Sequence, residues 1–202
     1  MKKEELKYLK FTILFLSFIF ILTFIVEVNR QRNVQYVEVF PIEDVNKRNE
    51  NGDTKEYVEF RDAVAHKESS NDYQKINSGG YAGRYQFGKS ALMDVGIKDK
   101  HKFLKNPKVQ DKAFKALCEM NKYRLRNFIS KHEGEIINGI EVTESGLLAA
   151  AHLLGTVSVK EYLNSGGKVI RRDGNNTSLE LYLELFQGYE LGIKAEKEVK
   201  IQ

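Results

Sequence analysis

The chain has 202 residues, room for one ordinary domain and an extra segment, and 42% of them are hydrophobic, enough for a real core. Its net charge of +4 is mild, and basic residues alternate with acidic ones without an arginine-rich arm or a long lysine block, which argues against nucleic acid as the main partner. The single cysteine, Cys118, excludes an intrachain disulfide, and His66, His101, His132 and His152 are scattered without zinc spacing, so no metal or other cofactor is expected.

The N-terminus carries the clearest signal. Residues 11–26, FTILFLSFIFILTFIV, hold no charge. As a helix this run is roughly 24 Å long against a hydrocarbon core of about 30 Å, and Tyr8, Leu9 and Val28 can lengthen it. A cleaved signal peptide competes with this reading, but no alanine precedes Ala63, no small-x-small site follows the run, and no lipoprotein cysteine is present. A single-pass anchor is therefore expected. Lys2, Lys3, Lys7 and Lys10 put residues 1–10 in the cytoplasm by the positive-inside rule, although Arg30 and Arg32 on the far side weaken the bias. Residues 27–54 read as a tether: NVQYVEVF could form a short strand, but EDVNKRNENGDTK is polar and turn-prone. As a flexible coil of about 28 residues it reaches about 30 Å.

A helical domain is expected from residue 55 to 192, with 193–202 as a polar tail. EYVEFRDAVAHKE sets Val58, Ala63 (or Asp62) and Ala65 on a partly apolar face, with Glu68 at the helix end. Residues 77–88 contain four glycines and the aromatics Tyr81, Tyr85 and Phe87, and predict a tight irregular or hairpin lobe. KSALMDVG predicts a short helix stopped at Gly96, and Pro107 opens a long one with Val109, Ala113, Phe114, Leu117, Met120, Leu125, Phe128 and Ile129 in phase. EIINGIEV predicts a hairpin turning at Asn138-Gly139. ESGLLAAAHLLG reads as a buried helix capped by Thr143 and stopped by Gly155, followed by another over SVKEYLNSGG. The last helix starts in TSLELYLELFQGY, with a capping box from Thr177 to Glu180.

Glu68 alone would pass for a solvated charge. Its context differs, because Ser69-Ser70 follow directly and the glycine-aromatic lobe comes next. If that lobe folds back over the helix end, Glu68 is partly desolvated, and burial favours the protonated carboxyl. A protonated glutamate beside a cleft can protonate a departing glycosidic oxygen.

These residues resemble a known family. ESS, then GYAGRYQFG, later AAAHLLG and finally YLELFQGY look like the motifs of lytic transglycosylases and the related goose-type lysozymes, over residues 56–190. The resemblance implies a mainly α, lysozyme-like fold and peptidoglycan as substrate. It implies Glu68 as the single catalytic acid/base and Ser69 as a residue holding substrate or acid. Gly83 and Gln86 match a Gly-x-x-Gln motif, in which the glutamine amide can bond sugar groups. Tyr81, Tyr85 and Phe87 read as core of the small lobe before they read as sugar platforms, though alternation can put one of them in the cleft, and Tyr85, within the motif, is the candidate for the glycan. His152 stands where the family commonly has an Ala-Tyr-Asn motif, a departure that leaves its role open. Tyr182 or Tyr189 is the late tyrosine of the cleft.

Asp72, Asp94, Glu141, Glu144 and Asp173 lack a comparable context, so one carboxylate is the simpler reading. The resemblance then implies an intramolecular attack that leaves 1,6-anhydromuramoyl ends. Water as attacker, giving a muramidase, and a non-cleaving glycan-binding module are the alternatives. The anchor would sit in a bacterial cytoplasmic membrane, with the domain in the periplasm or cell-wall space.

Overall fold

In the computed structural model the described residues are 52–201, so the expected cytoplasmic segment, the anchor and most of the tether lie outside them. No helix among the described residues is long and apolar enough to cross a membrane. The described part is mainly helical, in the order α1 (Lys55–Ser69), α2 (Lys89–Asp94), α3 (Lys100–Leu104), α4 (Pro107–His132), β1 (Ile136–Ile137), β2 (Ile140–Glu141), α5 (Glu144–Asn164) and α6 (Leu179–Leu185).

Local chemistry sets most boundaries. The Thr54 hydroxyl accepts from the Tyr57 N–H to start α1, and the Asn106 side chain accepts from Val109 N–H ahead of Pro107 to start α4. Helix α1 stops where Ser70 and Asn71 enter the left-handed region, at φ 59° and 67°. The hairpin β1–β2 turns at Asn138-Gly139, both with positive φ, as an Asn-Gly turn of this type requires. Thr143 caps α5 by accepting from Gly146 N–H. Gly155, at φ 79° and ψ 159°, breaks α5 into the two segments expected from the sequence.

Two expectations need correction, and one helix is new. The inward stripe of α1 is Tyr57, Phe60, Val64 and Ala65, while Val58 and Ala63 are only half-buried. The aromatic rings at 57 and 60 take the core side, three residues apart, and turn 58 and 63 to its edges. The last helix is capped by Ser178, whose Oγ accepts from Leu181 N–H, and not by a Thr177–Glu180 box. Glu180 instead accepts from Asn138 Nδ2 at 2.7 Å and Tyr162 Oη at 3.1 Å, which ties α6 to the hairpin and to α5. Helix α3 was not expected; the Asp99 side chain nucleates it by accepting from the His101 and Lys102 N–H groups.

The 26-residue α4 is the central column of the core. It buries Ala113, Phe114, Leu117, Cys118, Met120, Leu125 and Ile129, with Val109 and Phe128 at the margins. Helix α5 packs between α4 and α6. Its small residues allow close approach, since a β-carbon on Gly146 would stand 2.9 Å from the Leu183 carbonyl oxygen of α6. Helix α1 joins the core through Phe60, whose ring meets those of Phe114, Phe186 and Tyr189. Residues 193–201, set apart in the sequence as a polar tail, run back over the domain. Ile193 is buried, Glu196 N–H donates to Glu119 O, and Ile201 N–H donates to Val95 O.

Candidate active site

The site is assembled where α1 ends. Glu68 lies in the last turn, and the left-handed residues Ser70 and Asn71 send the chain back across the helix end. The returning lobe is a pair of narrow bridges, Ile76 with Ala82 and Ala82 with Phe87, closed by a tight turn over 83–86 in which Gln86 N–H donates to Gly83 O. Ser69 fastens this lobe to the helix. Its buried hydroxyl donates to the Arg84 carbonyl at 2.7 Å and accepts from Asp72 N–H at 3.0 Å.

Two downstream helices complete the site. From α6, the Tyr182 hydroxyl donates to Glu68 Oε1 at 2.7 Å. From α5, His152 Nε2 lies 3.9 Å from the same oxygen, beyond hydrogen-bond distance, and 2.8 Å from the Tyr85 carbonyl. A carbonyl only accepts, so Nε2 carries a hydrogen. The other ring nitrogen, Nδ1, is buried without a partner among the described residues. The Glu68 side chain is 14% exposed, so it is largely enclosed but still reaches solvent. Its Oε2 accepts no hydrogen bond from the described residues.

Electrostatics fix Tyr182 as a donor. Burial first, then the neighbouring Glu68 charge, push its phenol well above the ordinary range, and Asp173 adds to the same effect. The hydroxyl thus keeps its proton throughout the neutral range and holds one carboxylate oxygen in place.

The expected residues divide into those at Glu68 and those behind it. Glu68, His152 and Tyr182 converge. Tyr189 does not join them: it packs edge-on against Phe60 at 5.7 Å, and its backbone N–H donates to Ser145 Oγ. Tyr182 is therefore the late tyrosine at Glu68. The side chain of Tyr85, expected against a glycan, points into the core instead. It is fully buried, stacks on Phe114 at 4.3 Å, and donates its hydroxyl to Asp111 Oδ1 at 2.6 Å. Only its carbonyl serves the site, by holding His152. Gln86 is buried, and its NH₂ donates to Gly83 O at 2.8 Å and Lys75 O at 3.3 Å, so in this conformation it braces the lobe.

Gly83 has two physical reasons to be glycine. Its φ is +78°, and a β-carbon would stand 2.2 Å from Gln110 Oε1. Gln110 is a residue that sequence reasoning missed. Fully buried on α4, it accepts from Arg84 N–H at 2.8 Å and donates to the Tyr73 carbonyl at 2.9 Å, gripping the lobe from below. Arg84 was missed as well. Its buried guanidinium donates to Asp62, Asn71 and the Tyr85 hydroxyl, which clamps the lobe to α1. The signal for Gln110 was present, since it falls in phase with Ala113, Phe114 and Leu117 on an otherwise apolar stripe.

Among the described residues no group of acidic, histidine or cysteine side chains is arranged to hold a metal. Comparison with protein-family models, curated proteins and solved structures finds no match to this chain.

Proposed function

We propose that this chain is a peptidoglycan lytic transglycosylase with a lysozyme-like helical domain, held by residues 11–26 in a bacterial cytoplasmic membrane and acting in the periplasm or cell-wall space. The observation that carries the reading is the Glu68 carboxyl. It is partly enclosed at the end of α1, with one oxygen held by Tyr182 at 2.7 Å and the other accepting no hydrogen bond from the described residues.

In this reaction Oε2 carries the proton and delivers it to the bridging oxygen between N-acetylmuramic acid and N-acetylglucosamine. The bond from the muramoyl C1 to that oxygen breaks, and the substrate's own N-acetyl oxygen supports the positive charge at C1. Glu68, now ionised and still held by Tyr182, takes the proton of the muramoyl 6-hydroxyl. The 6-oxygen then bonds to C1, leaving a 1,6-anhydro end and returning Glu68 to its protonated form. No water is consumed and no cofactor takes part.

Hydrolysis is the second reading, in which Glu68 takes its proton from water and not from the 6-hydroxyl. Mass spectrometry of peptidoglycan digested by the full chain separates the two. Anhydro ends support the transglycosylase. Reducing ends would replace it with a muramidase. No new ends of either kind would leave a glycan-binding module.

A further inference from the structure

The three aromatics of the glycine-rich lobe do not share a fate. Tyr85 and Phe87 are buried, whereas Tyr81 is 49% exposed. Its backbone is fixed nonetheless, because Tyr81 N–H donates to Asn77 Oδ1 and Asn77 N–H donates to the Tyr81 carbonyl, each at 3.1 Å. Its ring lies across two glycines. A β-carbon on Gly79 would stand 3.1 Å from Cδ2 and Cε2, and one on Gly88 would stand 3.1 Å from Cε1 on the opposite edge. Neither glycine has positive φ, so the backbone itself does not demand glycine at either position. What both supply is room for the ring, which rests on them and leaves half of its surface in solvent.

Beside this ring opens a cavity of about 490 Å³, also lined by Lys89, Ser90 and Met93. A hydroxyl and an ammonium thus stand at the rim, and Met93 adds apolar surface, being 62% exposed. A held aromatic face with a few hydrogen-bonding groups around it matches a sugar ring, which offers an apolar C–H face and a polar edge. The same lobe is fastened to the Glu68 helix by Ser69 and Arg84.

On the glycan-cleaving reading above, we infer that Tyr81 is the platform of an additional sugar subsite, on which a pyranose of the glycan strand stacks away from the bond being cut. Tyr81 binds substrate and takes no part in proton transfer. The test uses the full chain in detergent, with Glu68→Gln as the parent so that the strand stays intact. Binding is measured by co-sedimentation with purified peptidoglycan sacculi. Adding Tyr81→Ala weakens binding by about tenfold, the loss expected for truncating one aromatic anchor, whereas Tyr81→Phe stays near the parent. In the active chain Tyr81→Ala raises KM and leaves kcat unchanged.

Sacculus binding by Tyr81→Ala equal to that of its parent would overturn the subsite and leave the glycan reading standing. A parent chain that neither binds nor, with Glu68 intact, cuts sacculi would sink the glycan reading itself.

Discussion

At the residue scale, a single hydrogen bond distinguishes Glu68 from a surface charge. Tyr182 reaches it from a residue 114 positions away, and burial keeps the phenol protonated. Tyr182→Phe removes that donor while leaving the ring packed against Phe186 at 5.1 Å. A hydrogen bond to a charged group contributes about 1.5–3 kcal/mol, so wall cleavage should fall on the order of ten- to a hundredfold with little change in melting temperature. Rates on sacculi, set beside a thermal melt, check both halves of this expectation. Glu68 and Ser69 were legible because they sit together at a helix end just before a glycine-rich segment. His152 was legible as a polar residue on an alanine-rich helix. The choice of Tyr182 over Tyr189 was not, because it depends on how α6 packs on α5 at Gly146, and both tyrosines lie on plausible faces. Which of the lobe's aromatics faces out was not legible either, for a related reason. In an irregular turn, side-chain direction follows local φ/ψ, and the positive φ of Gly83 and Gln86 removes the alternation that a strand would keep.

At the element scale, the lobe over residues 70–88 depends on glycines that act in different ways. Gly80 and Gly83 both have positive φ, +79° and +78°, but only Gly83 faces an obstacle, the buried Gln110 amide. Gly80→Ala should therefore cost only the left-handed strain, about 1 kcal/mol, whereas Gly83→Ala adds a steric clash and should cost about 2–4 kcal/mol. Urea denaturation of the two variants compares them directly, and equal losses would mean that Gln110 moves aside freely. Elements with a strong local signature were readable in advance: the Asn138-Gly139 turn, the Thr143 cap, the Pro107 start and the Gly155 break. Helix α3 escaped notice because five residues carry too little periodicity to register. The Thr177–Glu180 box failed because Glu180 has better partners in Asn138 and Tyr162, which only the tertiary fold supplies.

At the scale of the whole molecule, the mainly α class was legible from the long in-phase run of α4. The route of residues 193–201 was not, since their polar composition conceals Ile193, Val199 and Ile201 packed against the core. The core also sets an alkaline limit on stability. Burial is the largest cause pushing the phenols of Tyr57, Tyr85, Tyr162 and Tyr182 above their ordinary value of 10.0. The unfolded chain releases these protons near pH 10 while the folded one keeps them, so the folded state binds more protons there. Their stabilising contribution is complete below about pH 10 and is lost as pH rises above it. Thermal melts followed by circular dichroism should be level up to about pH 9.5 and then fall, and Tyr85→Phe or Tyr182→Phe should make that fall shallower. The account as a whole turns on Glu68 as the proton donor. Its most direct test is the rate at which the full chain solubilises purified peptidoglycan sacculi, compared with Glu68→Gln, a substitution that keeps the shape of the side chain and an oxygen for Tyr182. The account predicts cleavage by the unaltered chain and a loss of about a hundredfold or more in Glu68→Gln, at an unchanged melting temperature. Cleavage at the same rate by both proteins would contradict it.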